Sequence, residues 1–333
     1  MLRAAVVGAG FVGAIHARAL NAHPGIELVA ICSRTAPKTQ ALAGKYEAAA
    51  FSSVTEMMSQ SKLDLVCVAT GNKDHFEPTM TALAAGAHVF VEKPMAFELE
   101  DARRMIEASA HFEVALGVNF NHRFSAPYRR ALDFLHAGEI GTPCYLAMKF
   151  AGDLYKELDD PQAQLVETQG HSFDLLRLFG GEIEDVSGFL ADPRAIGVYT
   201  SAAIALQFES GAVGTLLGSW DSSYEHPGAQ HLEVTGTKGR IEVDNVIDSV
   251  RLYRHDEGAY SEWRPGLFST EHRDFWMTID AHLHAFIDAI SEGRPPPVTG
   301  EDGLKALELS YGALASFEKR RAIPMGSSTW TSP

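Results

Sequence analysis

A lysine stands where an apolar strand ends, in the segment AHVFVEKPMAF at residues 87–97. Residues 87–91 read as a buried strand, which Pro94 cannot continue. Ligands of open α/β sheets bind outside the carboxyl ends of the strands. Lys93 could therefore hydrogen-bond a substrate hydroxyl there and stabilise a developing alkoxide. From strand position alone, a surface lysine paired with Glu92 is an equally good interpretation.

A glycine-rich turn, GAGFVG at residues 8–13, joins the first apolar run of the chain to a helical pattern. This is the context of a dinucleotide fingerprint. The first glycine permits the tight turn, the second lets a pyrophosphate approach the backbone, and the third lets helix and strand pack closely. The helix N-terminus then faces the phosphates; the alternative is a turn that is merely rich in glycine. The cofactor-binding residues predicted here are Gly8, Gly10, Phe11, Val12 and Gly13.

The end of the second apolar run bears on which nucleotide would bind. NAD sites usually place a carboxylate there, on the ribose 2′-hydroxyl, whereas this run ends in ICSR at residues 31–34 and has no acid. Ser33 can hydrogen-bond a 2′-phosphate, Arg34 can pair with it, and Lys38 can add a third contact. We therefore expect NADP to be favoured over NAD. The alternative is that Arg34 is a solvated loop residue.

The segment ATGNKDH, residues 69–75, ends another apolar run. A loop after this strand would reach towards the cofactor, and Thr70, Asn72 and His75 are its candidate contacts. The same polar residues also fit ordinary capping, with Asp74 at the start of the next helix.

A polar stripe runs through LVETQGHSFDLLRLF at residues 165–179, where a helix is predicted over 168–180. Glu167, His171 and Asp174 fall at i, i+4 and i+7 and so share one face of a helix. Histidine titrates near neutrality, so His171 could exchange a proton with an alcohol. A histidine on a helix is more often structural, and Asp174 fits a structural partner better than a catalyst.

Polar side chains also gather in NFNHRF, residues 119–124. Asn121 and Arg123, and less strongly His122, could hydrogen-bond substrate hydroxyls or the cofactor. The alternative is that they hold the hinge between two domains.

The elements that carry these residues follow from the hydrophobic pattern. In the first 120 residues, continuous apolar runs alternate with helical patterns, which indicates a parallel sheet covered on both faces. The predicted strands are 3–7, 27–32, 64–69, 87–91 and 113–118, and the predicted helices are 12–22, 36–46, 75–86 and 98–110.

After residue 120 the pattern becomes α+β. A helix is predicted at 126–137, a strand at TPCYLAMKFAG, and two hairpins at AIALQFESGAVGTLLGSW and HLEVTGTKGRIEVDN, each with glycine in the turn. Helices at 278–292 and 301–319 end the chain. We therefore predict a dinucleotide-binding domain at 1–120 and an antiparallel α+β domain at 121–333.

Composition excludes several classes of protein. The chain has 333 residues and a net charge of −15, which argues against nucleic acid and anionic membrane partners, and it has no apolar stretch of membrane-spanning length. Because a strand begins directly at the N-terminus, we expect no signal peptide and a cytoplasmic location. Three cysteines inside apolar runs fit buried thiols in a reducing compartment. No metal site is predicted, because His282 and His284 do not face each other on a helix and HExxH is absent.

Taken together, these motifs resemble the Gfo/Idh/MocA oxidoreductase family, which includes glucose–fructose oxidoreductase, inositol dehydrogenase and related sugar dehydrogenases. GAGFVG, ATGNKDH and GAHVFVEKP occur in the family's order and spacing. The resemblance continues nearly to the end of the chain in VNFNHRFSAPY, GEIGTP, GHSFDLLRLFGG, EVTGTKGRIEVDN and ISEGRPPPVTGEDGLKALEL.

The resemblance implies an α/β fold in which a Rossmann domain precedes an α+β domain with a large open antiparallel sheet. Members oligomerise through that sheet, so we expect a homodimer or homotetramer. It also implies that Lys93, with Glu92 beside it, lies at the nicotinamide and the substrate, on a Lys–Pro bond that is frequently cis. His171 corresponds to the acid–base residue. Glu167 corresponds to a carboxylate, usually aspartate, that orients the sugar, and glutamate reaches about one methylene further.

The expected activity is an NAD(P)-dependent oxidoreductase acting on a small sugar, polyol or related carbonyl. Lys93 would bind the reacting hydroxyl, His171 would take its proton, and the hydride would pass to the nicotinamide. Two alternatives stay open: a non-catalytic NAD(P)-responsive regulator, and a glycosidase of the same family that uses bound NAD transiently. The predicted catalytic residues are Lys93, His171 and Glu167, and the predicted substrate-binding residues are Lys93, Asn121, Arg123, Glu167 and His171.

Overall fold

The computed structural model describes residues 1–152 and 160–325. The chain forms two compact units: the first comprises residues 1–121 and 276–304, and the second comprises residues 122–275 and those from 305 onward. The domain boundary predicted after residue 120 remains a prediction. The return of residues 276–304 to the first unit is not visible in the sequence, because an amphipathic helix does not reveal which core it joins.

A parallel sheet of six strands lies in the first unit, within described residues 1–152. The strands are β1 (Leu2–Val7), β2 (Ile26–Cys32), β3 (Ala49–Phe51), β4 (Leu65–Val68), β5 (His88–Val91) and β6 (Leu116–Val118). Their order is β3-β2-β1-β4-β5-β6, so the direction of strand succession reverses between β1 and β4. The five predicted strands are confirmed, whereas β3 was missed because its three residues are too few to form a recognisable strand pattern.

A sheet of nine strands lies in the second unit, among described residues 122–152 and 160–325. The strands are β7 (Pro143–Ala151), β8 (Ile183–Ala191), β9 (Ser201–Phe208), β10 (Val213–Ser219), β11 (Gln230–Gly236), β12 (Gly239–Asp244), β13 (Ser249–Arg254), β14 (Tyr260–Trp263) and β15 (Ile323–Pro324). Their order is β14-β13-β12-β11-β7-β10-β9-β8-β15.

Both predicted hairpins are confirmed, as β9–β10 and β11–β12. The expected large antiparallel sheet is confirmed, with one parallel pair in it, between β7 and β10. These two strands are far apart in the chain, and a connection of that length can return the second strand in the direction of the first. The sheet is therefore mixed and mostly antiparallel.

The helices agree with the predicted pattern, apart from two short helices that were missed. They are α1 (Phe11–Ala22), α2 (Ala36–Lys45), α3 (Val54–Gln60), α4 (Phe76–Ala84), α5 (Leu99–His111), α6 (Ala126–His136), α7 (Gly170–Gly180), α8 (Thr270–Arg273), α9 (Met277–Ser291) and α10 (Gly300–Lys319). No helix within residues 1–152 and 160–325 is both long and apolar enough to cross a lipid bilayer. The missed helices are α3 and α8, of seven and four residues.

The core of the first unit explains why the chain returns to it. Leu283, Phe286 and Ile287 of α9 are fully buried in the same cluster as Leu20 of α1 and Phe90 of β5. The rings of Phe90 and Phe286 lie 5.3 Å apart. Apolar burial of this extent stabilises the attachment of α9 to the sheet by several kcal/mol, at about 1.5–3 kcal/mol per large side chain.

The cysteines divide between core and surface. Cys32 and Cys67 are buried, as expected, whereas Cys144 is exposed, so the expectation of a buried thiol is wrong there. Cys144 is the second residue of β7 and precedes the alternation in which Leu146 and Met148 face the core. A residue at the end of a strand can be solvated even when its neighbours are apolar.

Candidate active site

A groove of about 720 Å³ lies over the carboxyl ends of β1, β2 and β4 in the first unit. It lies where the strand order reverses, which is the position that open α/β sheets use for ligands. Predicted cofactor residues that line it are Gly8, Gly10, Phe11, Val12, Ser33, Arg34 and Thr70. The groove therefore brings together residues from three separate predicted motifs.

The three fingerprint glycines differ in what a side chain would meet. A Cβ on Gly8 would lie 2.1 Å from the carbonyl oxygen of Ala69, and the φ of Gly8 is +122°, a region that only glycine adopts readily. A Cβ on Gly13 would lie 2.0 Å from the carbonyl oxygen of Gly8. A Cβ on Gly10 would meet no atom within 4 Å. Two glycines thus serve the fold, and the third leaves open space beside the N-terminus of α1.

The end of the groove at β2 carries a charge pair that the sequence did not indicate. Nη2 of Arg34 donates to Oδ2 of Asp74 at 2.6 Å, and both side chains are largely exposed. Asp74 lines the groove together with the carboxylates Glu77 and Asp101. Lys38 on α2 is exposed and is not part of the lining. Arg34 is thus in the predicted place but already has an anionic partner.

The loop after β4 places its predicted residues in different surroundings. Thr70 lines the groove and donates its hydroxyl to the carbonyl oxygen of Asp74 at 2.9 Å. Asn72 is half-buried and is not part of the lining. His75 is buried, and its Nδ1 donates to the carbonyl oxygen of Pro94 at 2.7 Å. Burial lowers the pKa of His75, although this hydrogen bond opposes the shift. His75 therefore holds the loop that follows Lys93 and does not line the groove.

Lys93 lies directly beyond β5 and is half-buried, and its bond to Pro94 is cis, as the family resemblance led us to expect. The preceding residue, Glu92, continues the sheet through its amide, which donates to the carbonyl oxygen of Val68 at 2.9 Å. The position of Lys93 just past the sheet is thus fixed by backbone bonds on its N-terminal side and by His75 on its C-terminal side.

The carboxylate of Glu92 belongs to a buried polar network in the first unit. Its Oε1 accepts hydrogen bonds from Nε2 of His16 at 2.7 Å and from Nδ2 of Asn119 at 2.6 Å. Asn119 in turn accepts from Nδ1 of His282 at 3.0 Å. Burial raises the pKa of Glu92, but the two hydrogen bonds and the charge of Lys93 outweigh it, and the net shift is downward. Glu92 is therefore an anion beside Lys93 that is held by neighbouring side chains.

His171 lies in the first turn of α7 and is buried. Glu167 is half-buried and precedes α7, in a π-helical turn at Gln164–Thr168. A π-turn contains more residues per turn than an α-helix, so the predicted single α-helical face through Glu167 and His171 stays a prediction. Such turns are often found at functional sites, so the irregularity agrees with a role for this segment.

The ring of His171 stacks on that of His122, with centroids 3.8 Å apart and planes 5° from parallel. His122 is buried, and its Nδ1 lies 3.1 Å from Nε2 of Gln230. The Oε1 of Gln230 accepts a hydrogen bond from the hydroxyl of Tyr128 at 3.0 Å. His171 therefore has an ordered aromatic neighbour that is held by two further side chains.

The other residues of NFNHRF are engaged in hydrogen bonds. Nδ2 of Asn121 donates to Oγ1 of Thr278 at 2.7 Å, within the first unit. Arg123 donates through Nε and Nη2 to both carboxylate oxygens of Asp174, within the second unit. The expectation that Asp174 is structural agrees with this bidentate pair. Both contacts fix side chains that were predicted to contact substrate.

Sequence reasoning missed several of these residues as members of a site. Asp74 was interpreted only as a helix cap, His122 was ranked below its neighbours, and Gln230 and Tyr128 were not considered. His16 was missed as well, although a histidine on the packing face of α1 is a signal that a buried partner exists. His282 and His284, the two histidines considered as metal ligands, have separate partners. His282 hydrogen-bonds to Asn119, and His284 donates to the carbonyl oxygen of Ala19.

Two family models match this chain. One is the oxidoreductase family with an NAD-binding Rossmann fold, over residues 2–120, and the other is the GFO/IDH/MocA C-terminal domain, over residues 128–242. The first match covers both the groove and Lys93, and the second covers the segment with His171.

Curated relatives and solved structures are similar over nearly the whole chain. A myo-inositol 2-dehydrogenase from Thermotoga maritima is 30% identical, over 97% of this chain and 98% of its own. A scyllo-inositol 2-dehydrogenase (NAD(+)) from Bacillus subtilis is 28% identical, over 97% and 96%. The structure of a putative myo-inositol dehydrogenase from Sinorhizobium meliloti 1021 superposes with a TM-score of 0.83 at 25% identity, over 98% of this chain and 100% of that one.

Proposed function

Because this chain belongs to the Gfo/Idh/MocA oxidoreductase family, we propose that it is an NAD(P)-dependent dehydrogenase of a cyclic polyol or sugar. The central support is the groove over β1 and β4, in which the sterically required Gly8 and the open Gly10 fit a dinucleotide pyrophosphate. Relatives named as inositol 2-dehydrogenases match end to end, which favours a ring hydroxyl as the reacting group.

Two side chains carry the proposed chemistry. Lys93 binds the reacting hydroxyl and stabilises the developing alkoxide, while His171 takes the hydroxyl proton and returns it in the reverse direction. The bound nicotinamide accepts the hydride. The fixed position of Lys93 beyond β5 and the ordered ring of His171 support these roles.

Substrate recognition is proposed to involve Glu167, whose carboxylate accepts hydrogen bonds from sugar hydroxyls. Asn121 and Arg123 remain predicted substrate contacts, with their side chains fixed by Thr278 and Asp174. The longer reach of glutamate compared with aspartate is expected to change which hydroxyl pattern is preferred.

For the cofactor, NADP is the proposed preference, through Ser33 and Arg34 at the end of β2. A 2′-phosphate must compete with Asp74 for the guanidinium of Arg34. Because a Bacillus subtilis relative is named for NAD, every test has to compare both cofactors.

A homo-oligomer is proposed to form through the outer face of the nine-stranded sheet. Phe189, Ala203, Leu217 and Lys149 occupy one row across four neighbouring strands. Phe189 is 76% exposed and Leu217 is 55% exposed, around a depression of about 370 Å³. Large apolar side chains grouped on a surface favour association with a second copy of the chain.

A cytoplasmic location is part of the same proposal, supported by the free thiols of Cys32 and Cys67.

The decisive experiment is a substrate screen with the purified full-length chain. Inositols, other polyols, aldoses and sugar acids are each incubated with NAD and with NADP, and reduced nicotinamide is followed by absorbance. Oxidation of at least one ring polyol or sugar, abolished by His171→Ala, is expected. Release of a leaving group from a glycoside without net cofactor reduction would contradict the proposal, as would cofactor binding without turnover of any substrate.

A further inference from the structure

Tyr128, on α6, begins a line of four buried side chains in the second unit. Its hydroxyl donates to Oε1 of Gln230 at 3.0 Å. Burial, and after it the charge of Asp244, raises the pKa of Tyr128. The phenol therefore keeps its proton at neutral pH and serves as a donor. The amide of Gln230 thereby points its oxygen at Tyr128 and its nitrogen at His122.

The amide nitrogen of Gln230 determines the protonation of His122. It lies 3.1 Å from Nδ1 of His122 and has only hydrogens to offer. Nδ1 must therefore be the unprotonated acceptor, with the ring proton on Nε2. If Nδ1 were also protonated, its N–H would face the amide N–H of Gln230, and the two would repel. His122 is therefore held neutral while Gln230 keeps this orientation.

The face of this neutral ring lies against His171, at a centroid distance of 3.8 Å. The rings of Phe150 and Phe275 meet the ring of His122 edge-on, with centroids 5.7 and 5.5 Å away and planes inclined by 66° and 79°, and restrict its rotation. A parallel contact fixes the ring plane of His171. A neutral aromatic face also tolerates a proton on the neighbouring imidazole, whereas a second positive charge at this distance would oppose that proton.

We propose that His122 is a positioning residue for His171, and that Gln230 and Tyr128 specify the Nε2–H tautomer in which it acts. This inference rests on the proposed acid–base role of His171. His122 does not exchange a proton with the substrate. It holds the ring plane of His171 and keeps a neutral face beside it while His171 gains and loses its proton.

The tautomer is measured without substrate, by ¹⁵N NMR of the full chain labelled at histidine, with His122→Phe used to assign the resonances. An unprotonated Nδ1 and a protonated Nε2 are expected for His122. Gln230→Glu should place a proton on Nδ1 of His122, since a carboxylate accepts a hydrogen bond from Nδ1. A parent protein with the proton on Nδ1 would overturn the inference.

Kinetics separate positioning from mere packing. His122→Phe retains a neutral aromatic face, so its kcat should stay within about threefold of the parent, whereas His122→Ala and Gln230→Glu should lower kcat at least about tenfold. The Kd of the cofactor should be unchanged in all three variants. Tyr128→Phe removes the hydrogen bond that orients Gln230 and should also lower kcat. Tyr253→Phe, which removes a tyrosine hydrogen bond to Glu242 in the same unit, is its control and should behave as the parent.

Different results would contradict the proposed dehydrogenase activity and the positioning role of His122. A parent that oxidises no polyol or sugar would remove the proposed function, and the inference with it. An active parent whose kcat is unaffected by His122→Ala and by Gln230→Glu would remove the positioning role alone and leave the acid–base role of His171 standing.

Discussion

Nδ1 of His75 donates to the carbonyl oxygen of Pro94 at 2.7 Å, and so joins the loop after β4 to the turn that holds Lys93. The histidine is buried, and burial lowers its pKa below the ordinary value of 6.5. Burial favours the neutral ring, whose single proton is then the one donated to Pro94.

Stability should fall with acidification through this residue. When the pH drops below 6.5, His75 takes up a proton in the unfolded chain but not in the folded one, so the free energy of unfolding decreases by up to about 1.4 kcal/mol per pH unit. Urea unfolding from about pH 8 to about pH 5 should show a shallower pH slope in His75→Asn than in the parent. An identical slope would contradict the assignment.

His231 provides a control of opposite sign. A hydrogen bond to Asp244 raises its pKa, although burial opposes the shift. The stabilisation that this raised pKa contributes is fully present below pH 6.5 and is lost as the pH rises through the pKa of His231 in the folded protein. His231→Asn should therefore change the pH slope in the direction opposite to His75→Asn.

The fingerprint glycines should separate into two classes on substitution by alanine. Gly8→Ala and Gly13→Ala should each lower the free energy of unfolding by about 1–3 kcal/mol, because the new methyl meets a carbonyl oxygen. Gly10→Ala has space, so it should unfold as the parent while weakening cofactor binding at least about tenfold. Chemical unfolding and titration with reduced cofactor measure the two effects. Equal destabilisation by all three would contradict the steric distinction.

What the sequence could predict depends on how local each cause is. Gly8 was identifiable because its conformation follows from a short motif at a strand end, and the alternation in β9 and β10 revealed a hairpin without any distant information. The partner of Arg34 lies 40 positions away, at Asp74. Such a contact depends on two loops meeting over the sheet, which no local pattern encodes.

The same limit explains the residues around His171. Histidine on a predicted helix indicated a candidate base, but the stack with His122 joins segments 49 positions apart. The π-turn at Glu167 was likewise hidden, because one extra residue in a turn leaves apolar periodicity nearly intact. Composition and periodicity establish the elements, while tertiary contacts decide which polar residues meet.

Asp74 should act as a determinant of cofactor preference. Asp74→Asn frees the guanidinium of Arg34, so NADP should bind about 2–5-fold more tightly, in keeping with an exposed ion pair worth up to about 1 kcal/mol. Arg34→Ala should weaken NADP binding at least about tenfold and change NAD binding less than about twofold. Isothermal titration with both cofactors checks this. Glu77→Gln, at another groove carboxylate that makes no bond to Arg34, is the matched control. An NADP affinity that does not change in Arg34→Ala would remove Arg34 from the phosphate site.

Lys93→Ala should lower kcat by about 10²–10³-fold, because the developing alkoxide loses its charged hydrogen-bond donor. The Kd of the cofactor should change much less, since the groove proposed to bind the pyrophosphate is built from other residues. Stopped-flow turnover and fluorescence titration give the two values. Lys62→Ala, at an exposed lysine ahead of β4, should match the parent. Near-normal turnover in Lys93→Ala would end its catalytic assignment.

Leu217→Lys should dissociate the proposed homo-oligomer. Leu217 lies between Ala203 and Lys149 in the outer row of the nine-stranded sheet, so a new ammonium group there must be desolvated on association and would face the existing charge of Lys149. Light scattering after gel filtration should give the monomer mass for this variant and a larger mass for the parent. Leu267→Lys changes an equally apolar and even more exposed side chain outside the sheet, and should leave the assembly intact. If Leu217→Lys remains associated while keeping the circular dichroism of the parent, the outer face of this sheet is not the interface.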